Sequence, residues 1–351
     1  MERFDIFKPR RAEEFAFKDI TYSKKDMVAT ITFNRPDVLN TYSTLAITEL
    51  TEAVRDVRND DGVGVLVITG AGDRAFCTGG DVKEYAGPIS AYPRDFYKWG
   101  ENFNIFHQML RGVGKPTIAR LNGMVVGGGN EFNLACDLAI AAEHVVIRQV
   151  GTQVGSVAAG GATQFLPIVV GDRRAREILL LCEEIPAPKA LDWGLVNQVV
   201  PSVVDEQGNF LTCALEEKKR LLKEKKAKID LRPLDEAVKV LADKLLKKFP
   251  ECTRYTITQL NYWKEMVWAA TMRNATDWLT IHYTSAEPYE GMNAFVEKRP
   301  PDYIGLREKA ARGESSEFLW GPYTQKCSAC GAKGIPAEFN CCGVCGAKIK
   351  Q

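Results

Sequence analysis

The chain is organised around the sequence Asn122-Gly123-Met124-Val125-Val126-Gly127-Gly128-Gly129-Asn130-Glu131-Phe132-Asn133-Leu134-Ala135-Cys136-Asp137. This stretch follows an apolar, strand-like run, passes through consecutive glycines and continues with helix-like spacing. Glycine allows close approach of the backbone to a ligand, and a helix N-terminus presents N–H groups to an anion or a carbonyl oxygen. Glu131 follows Gly128 by about one helical turn, so its carboxylate would lie beside whatever that amide binds. A tight strand-to-helix turn that needs glycine only for packing would give the same pattern.

A second glycine turn has the same design. The polar segment Thr78-Gly79-Gly80-Asp81 comes after the strand-like run 63–70 and a short apolar stretch, Ala75-Phe76-Cys77. Two such turns can each direct one N–H group at a single oxygen, which is the arrangement of an oxyanion hole for an enolate. Strand and helix patterns alternate with short connections from residue 18 onwards, and this alternation predicts an α/β fold.

Composition excludes several classes of protein. The chain has 351 residues, enough for one large domain with appendages or for two domains. Lys and Arg number 46 against 45 Asp and Glu, a net charge of +1, so the overall charge indicates neither a nucleic-acid nor a membrane partner. Residues 1–5 lack the apolar run of a signal peptide, and no apolar segment is long enough to span a bilayer. We therefore expect a cytoplasmic protein.

The cysteines near the C-terminus indicate a metal site. Two Cys-x-x-Cys-Gly pairs are present, Cys327 with Cys330 and Cys342 with Cys345. Four thiolates at this spacing suit one tetrahedral Zn²⁺ ion, and the glycine after each pair permits the turn that directs amides at sulfur. We predict a structural zinc ribbon over residues 326–351, with an iron site or a redox pair as alternatives. Four cysteines leave no open position for catalysis, and Cys341 is either a spectator or a register alternative to Cys342.

The two glycine turns, together with Asn34-Arg35-Pro36 and Leu39-Asn40, resemble the crotonase (enoyl-CoA hydratase/isomerase) superfamily. The resemblance covers roughly residues 18–202 and returns at Gly291–Arg299. It implies an α/β fold with a ββα spiral core at 18–202, after an N-terminal arm at 1–17. A helical C-terminal region at 203–325 would precede the zinc ribbon. The resemblance also implies an acyl-CoA thioester substrate, with coenzyme A as part of that substrate, and a homo-oligomer, either a trimer or a hexamer.

The resemblance assigns roles to three residues in the glycine turns. By motif position, the backbone N–H groups of Gly80 and Gly128 would hold the thioester carbonyl while an enolate forms. Glu131 falls on the first of the two glutamates with which hydratases of the family activate water. A carboxylate at a helix start without any chemical role is the alternative for Glu131. The position of the second glutamate falls on Gly151, so an ordinary two-glutamate mechanism is not expected.

Other polar residues have weaker claims. His282 or Asp81 would supply a second acid–base group, although capping of the following segment is the simpler explanation of Asp81. The remaining histidines, His107 and His144, are expected to be structural. The resemblance implies contacts with coenzyme A at a further set of residues: Asn40, Val82, Lys83 and Lys298. Lys298 matches the family's C-terminal segment that approaches the CoA phosphates, where cations are favourable.

The segment Gln149–Gly161 narrows the expected reaction. It resembles the 1,4-dihydroxy-2-naphthoyl-CoA synthase branch, which carries an aspartate where Ala158 stands and no glutamate where Glu131 stands. The chain thus combines the segment of that branch with Glu131 and lacks the branch's aspartate. This combination, together with Asn34–Tyr42, resembles a branch that acts on cyclic thioesters in anaerobic aromatic degradation. Its enzymes add water to a ring double bond and open the ring with a second water. We expect that hydratase/hydrolase activity, with an enoyl- or dienoyl-CoA hydratase or isomerase as the alternative.

A charge-dense run at residues 216–228 supports a competing function. Such a run usually forms the solvated face of a helix, with a binding surface as the alternative. A noncatalytic protein could use this run and the zinc ribbon to contact nucleic acid or another protein. The balanced net charge and the combination of both glycine turns with Glu131 favour the enzyme.

Overall fold

Two sheets form the core of the fold. The strands are β1 (Ile20–Lys25), β2 (Val28–Phe33), β3 (Val65–Gly70), β4 (Ala75–Cys77), β5 (Thr117–Leu121), β6 (Met124–Val126), β7 (Leu138–Ala142), β8 (Val146–Arg148), β9 (Ile185–Pro186), β10 (Gln198–Val200), β11 (Val203–Val204), β12 (Lys228–Ile229), β13 (Gln325–Lys326) and β14 (Lys333–Ile335). One sheet has the order β1-β2-β3-β5-β7-β10 and the other β4-β6-β8-β9. Successive strands from β3 to β8 therefore alternate between the two sheets, so that each turn of the chain adds one strand to each. This winding confirms the predicted α/β spiral.

Helices connect the strands of the two sheets and form most of the regular secondary structure after residue 203. They are α1 (Thr44–Asn59), α2 (Val82–Glu84), α3 (Pro93–Arg111), α4 (Gly128–Ala135), α5 (Ala162–Val170), α6 (Asp172–Leu181), α7 (Ala187–Asp192), α8 (Leu215–Lys223), α9 (Arg232–Leu246), α10 (Pro250–Leu260), α11 (Tyr262–His282), α12 (Ala286–Glu297) and α13 (Gly305–Ala311). A π-helical turn at Tyr85–Ile89 follows α2. Strand β3 is buried at every position, as expected of a central strand in a parallel sheet covered on both faces.

The computed structural model describes residue 4 and residues 7–89 and 92–349, and the chain divides into two compact units. The first unit comprises Met1–Asp81, Tyr97–Thr152 and Val157–Thr276, and the second comprises Val82–Phe96, Gln153–Ser156 and Asp277–Gln351. Part of the predicted N-terminal arm, at residues 1–3, 5 and 6, lies outside the described residues, as do residues 350 and 351 of the tail. The predicted boundaries after residues 202 and 325 stay predictions. Over the described residues, no helix is both long enough and apolar enough to cross a bilayer.

The charged run forms a helix over only part of its length. Helix α8 ends at Lys223, a turn follows, and β12 begins at Lys228. The Nζ of Lys218, which is buried, lies 2.6 Å from Oε2 of Glu143. Most of the other ion pairs in the run are local, such as Lys219 with Glu216. The run therefore contacts the core through the buried Lys218, and most of its other charged side chains face solvent.

The second unit packs α12 against the short loop at residues 153–156. The hydroxyls of Ser156 and Tyr283 are 3.0 Å apart, and the hydroxyl of Tyr303 donates to the carbonyl of Gln153 at 3.0 Å. The cysteine-rich tail belongs to the same unit. It is linked to α13 through an ion pair between Lys309 and Glu338, at 3.2 Å.

Candidate active site and metal centre

The two glycine turns meet at one edge of the smaller sheet. Strands β4 and β6 are parallel neighbours, with Cys77 paired with Val125, so their carboxyl ends lie at the same edge. Gly79, in the turn after β4, has a φ of +94°, in the left-handed region that favours glycine. A Cβ atom on Gly79 would lie 3.4 Å from the nitrogen of Gly128. Strand register therefore places the first turn against the start of α4.

Each turn contributes a backbone donor. Gly128 is the first residue of α4, where no carbonyl within the helix can accept its N–H. Gly80 forms a parallel bridge with Tyr42, in which the Tyr42 N–H donates to Gly79 and the Asp81 N–H donates to Tyr42, both at 3.0 Å. These bonds use the groups on either side of Gly80 and leave its own N–H outside the bridge. The two turns therefore bring the backbones of Gly80 and Gly128 close together, and the role of their N–H groups towards a thioester stays a prediction.

Close packing also explains the glycines at the start of α4. A Cβ on Gly129 would lie 2.0 Å from the carbonyl oxygen of Cys77, so no side chain fits at that position. A Cβ on Gly128 would lie 2.3 Å from the hydroxyl oxygen of Tyr42. Close packing therefore accounts for glycine at these two positions, and the donor role of Gly128 stays a prediction.

Glu131 lies in the first turn of α4 and is only 5% exposed. Its Oε1 accepts a hydrogen bond from the N–H of Ala162 at 3.3 Å. Burial raises the pKa of this carboxyl to about 7, although hydrogen bonds from the N–H groups of Ala162 and Gly160 act in the opposite direction. A carboxyl with a pKa near neutrality can both accept and return a proton, which suits general acid–base catalysis.

Three positions are candidates for a second carboxylate, and only one of them carries an acid. Gly151, at the position of the second family glutamate, opens a short 3₁₀ turn and carries no side chain. Ala158 is half-buried and provides no acid. The carboxylate of Asp81 is 3.0 Å from the guanidinium of Arg35, so this residue pairs with a cation beside the first glycine turn.

The three histidines differ in their surroundings. His107 is fully buried, with its ring stacked on Phe132 at 5.2 Å, and burial holds its pKa well below the usual value, with the charge of Arg111 acting in the same direction. His144 bonds Ser202 through Nδ1 at 2.7 Å, and its Nε2 lies within 3.0 Å of the Asp73 carbonyl. His282 ends α11 in the second unit, and its role as a second acid–base group stays a prediction.

The four predicted CoA-binding residues fall into two groups. Asn40 is 1% exposed, and its Nδ2 donates to the carbonyls of Ala71 and Ala75 at 3.0 and 2.8 Å. Its side chain therefore supports the turn before β4. Val82, Lys83 and Lys298 all belong to the second unit, in which Lys298 closes α12 with a left-handed φ of 56°. Contact of any of these residues with coenzyme A stays a prediction.

Sequence reasoning missed a group of aromatic residues near Glu131. Tyr42 stacks on Trp99 and Phe103, with ring centroids 6.5 and 5.7 Å away. A Cβ on Gly160 would lie 2.3 Å from the ring of Phe103 and 2.5 Å from Oε2 of Glu131. Trp99 and Phe103 are spaced by one turn of α3, and this spacing is the signal that the sequence offers. Their convergence with Tyr42 depends on tertiary packing.

The predicted zinc ligands form one cluster. The sulfur atoms of Cys327, Cys330, Cys342 and Cys345 all lie within 4.8 Å of one another, and two of the pairs are 3.7 Å apart. A tetrahedral ion with Zn–S bonds of about 2.3 Å requires S–S separations of about 3.8 Å. The N–H groups of Gly331 and Gly346 close the two turns by donating to the carbonyls of Cys327 and Cys342. The N–H of Val344 donates to the sulfur of Cys342 at 3.4 Å, as expected of a turn that directs amides at sulfur. The donor set therefore fits a zinc ion in both chemistry and size.

Comparison with known proteins gives consistent matches. The family model described as enoyl-CoA hydratase/isomerase matches residues 23–306. A Geobacter metallireducens protein named 6-oxocyclohex-1-ene-1-carbonyl-CoA hydrolase is 34% identical in an alignment 313 residues long, which covers 81% of this chain and 81% of that protein. An enoyl-CoA hydratase structure from Mycobacterium avium subsp. paratuberculosis K-10 aligns with a TM-score of 0.65 and 26% identity, over 82% of this chain and 98% of that one. One from Bacillus anthracis aligns with a TM-score of 0.58 and 28% identity, over 82% and 100%.

Proposed function

Because the chain belongs to the enoyl-CoA hydratase/isomerase family, we propose that it hydrates a cyclic α,β-unsaturated CoA thioester and then opens the ring by hydrolysis. The proposed substrate is 6-oxocyclohex-1-ene-1-carbonyl-CoA and the product 3-hydroxypimelyl-CoA, a step in anaerobic degradation of aromatic compounds. The observation that carries the proposal is a single buried carboxyl with a pKa of about 7 next to two glycine turns. The name of the Geobacter metallireducens relative supports the choice of substrate.

The first step is addition of water across the ring double bond. The N–H groups of Gly80 and Gly128 hold the thioester oxygen and stabilise the negative charge that moves onto it. Ionised Glu131 removes a proton from water as the water oxygen bonds to the β-carbon. The electron pair of the double bond moves into the thioester enolate. Protonation of the α-carbon by Glu131 then gives a β-hydroxy thioester and restores the carboxylate.

The second step uses the same groups on the ring ketone. Glu131 removes a proton from a second water, whose oxygen bonds to the ketone carbon. The bond between that carbon and the α-carbon breaks, and its electrons form the thioester enolate again. The α-carbon takes up a proton, and the former ketone leaves as a carboxylate. Because both steps place the enolate charge on the same thioester oxygen, first in the intact ring and then in the ring-opened chain, one oxyanion site and one acid–base carboxyl are sufficient for both.

Two further assignments complete the proposal. The four clustered cysteines hold a structural Zn²⁺ ion, a role supported by the fit of their sulfur separations to a tetrahedral site. The protein forms a trimer or a hexamer, as the family resemblance implies. Exposed aromatic and aliphatic side chains on α10 and the start of α11 support this assembly, because large exposed apolar patches usually mark interfaces.

The test is incubation with a panel of cyclic and linear enoyl-CoA thioesters, followed by mass spectrometry. The proposal predicts that the cyclic ketone substrate gains two water molecules. Gain of one water molecule by linear substrates, with no reaction of the cyclic ketone, would favour the alternative of an ordinary enoyl-CoA hydratase.

A further inference from the structure

Tyr42 connects the two glycine turns. Its backbone is bonded to both sides of Gly80, accepting from Asp81 and donating to Gly79 at 3.0 Å each. Its hydroxyl oxygen lies 2.3 Å from the point that a Cβ on Gly128 would occupy. One residue therefore fixes the first turn through its main chain and contacts the second through its side chain.

The hydroxyl is close to the second oxyanion donor. The N and Cβ positions of a residue share one Cα and lie about 2.5 Å apart, so the Tyr42 oxygen is at most about 5 Å from the Gly128 nitrogen. An acceptor oxygen that lies between these two atoms can therefore be about 2.9 Å from both and accept from the N–H and the phenol O–H together. Tyrosine keeps its proton at neutral pH and can donate it in a hydrogen bond.

The ring of Tyr42 also belongs to the group of packed aromatic side chains near Glu131. The residue is 4% exposed, and its ring packs against Phe103, with 5.7 Å between centroids. The Phe103 ring and Oε2 of Glu131 both lie next to Gly160, where a Cβ would be 2.3 Å from the ring and 2.5 Å from Oε2. The Tyr42 hydroxyl and the Glu131 carboxyl are therefore connected by packed aromatic side chains, with the hydroxyl beside Gly128. A donor in such a water-excluded place acts more strongly than in water.

From this geometry we propose that the Tyr42 hydroxyl is a third hydrogen-bond donor to the thioester oxygen, beside the N–H groups of Gly80 and Gly128. The proposal rests on the proposed function, because it requires a bound thioester. It makes Tyr42 a catalytic residue, since the hydroxyl contacts the atom on which the enolate charge develops. A purely structural Tyr42 would contribute only its ring.

The experiment compares the wild-type protein with Tyr42→Phe, which keeps the ring and removes the hydroxyl. A saturated acyl-CoA, isotopically labelled at the thioester carbonyl, is bound to each, and the carbonyl stretching band is measured by infrared difference spectroscopy. We expect the band to move back towards its position in water in Tyr42→Phe, and kcat on the cyclic substrate to fall by about 10²–10³-fold, the usual cost of one oxyanion donor. Tyr323→Phe, at a residue 66% exposed, is the matched control and should change neither.

The outcomes separate this inference from the proposed function. A wild-type band that is polarised, with the same band and the same kcat in Tyr42→Phe, would overturn the role of Tyr42 and leave the proposed function standing. A wild-type protein that neither binds nor polarises the thioester would overturn both. If Tyr42→Phe does not fold, fluorotyrosine at position 42 retains the ring and makes the hydroxyl a stronger donor. The band should then shift further, and an unmoved band would overturn the inference.

Discussion

At the scale of single residues, the environment of Glu131 determines its chemistry. Taking a carboxylate out of water disfavours the charged form, and burial is the main cause of its raised pKa. The two N–H groups that face the carboxyl limit this effect, so the pKa stops at about 7. A fully solvated glutamate would be too weak a base for water at neutral pH. The described surroundings therefore suit Glu131 to proton transfer in both directions.

Replacing Glu131 with glutamine should separate proton transfer from binding. The amide keeps the size of the side chain and much of its hydrogen bonding but cannot take a proton from water. We expect kcat to fall by roughly 10²–10⁴-fold, the usual contribution of a positioned acid or base, while affinity for a saturated acyl-CoA stays close to that of the wild type. The control is Glu216→Gln on exposed α8, which should retain full activity. A Glu131→Gln protein that keeps most of its activity would contradict the assigned role.

The raised pKa also predicts how stability depends on pH. The folded pKa of about 7 lies above the ordinary glutamate value of 4.5, so the folded state binds the proton more tightly. The contribution of this group to stability is complete below pH 4.5 and is lost as the pH rises through about 7, by up to roughly 1.4 kcal/mol per pH unit. Glu131→Gln has no such group, so it should become more stable relative to the wild type as the pH rises.

Denaturant midpoints of both proteins at about pH 5 and about pH 8 measure this effect. We expect the difference in midpoint to shift in favour of the variant at the higher pH. An unchanged difference would show that Glu131 titrates in the folded protein as it does in the unfolded chain.

At the scale of elements, the positions of the turns could be predicted from the sequence, whereas their contacts could not. Glycine clusters predicted the two turns that follow β4 and β6, although neither of these short strands was predicted, and the family resemblance implied that both turns serve one oxygen. The approach of Gly79 to Gly128 follows from the pairing of β4 with β6. Local patterns do not specify which strands pair, because a register depends on the whole sheet.

Contacts between distant parts of the chain also explain why some residues were missed and why others have a different role from the one expected. Asn40 matched a family position, yet its side chain bonds Ala71 and Ala75 across a gap of more than thirty residues. The pair of Arg35 with Asp81 is equally distant in sequence. Tyr42 gave no signal of its own, since the space that it fills exists only because Gly128 lacks a side chain.

The clustering of the four cysteines in the tail was predictable because each Cys-x-x-Cys pair is close in sequence and its spacing is typical of a metal site. We expect about one Zn²⁺ ion per chain in freshly purified protein, and loss of that ion in Cys342→Ser, because three thiolates no longer complete the tetrahedron. Metal analysis of the full-length variants tests this. Cys341→Ser is the matched control, since Cys341 is exposed and lies outside the cluster. Retention of zinc by Cys342→Ser together with its loss from Cys341→Ser would assign the fourth ligand to Cys341.

At the scale of the whole molecule, the proposed assembly makes a prediction about mass in solution. Helix α10 and the start of α11 expose Tyr255, Leu260 and Trp263, each at least 60% accessible. Light scattering at micromolar concentration should give the mass of a trimer or a hexamer. Leu260→Glu and Trp263→Glu should each lower that mass, because a charge buried in an apolar interface is costly. Glu216→Gln on α8 should leave it unchanged, and a monomeric wild-type protein would contradict the prediction.

The central claim is that one protein adds two waters to one cyclic thioester. The most direct measurement is a single turnover of 6-oxocyclohex-1-ene-1-carbonyl-CoA in isotopically labelled water, with the position of the label read by mass spectrometry of fragments. The account predicts 3-hydroxypimelyl-CoA with labelled oxygen in both the hydroxyl and the new carboxylate. A product that keeps the ring and carries label only in a hydroxyl would contradict it.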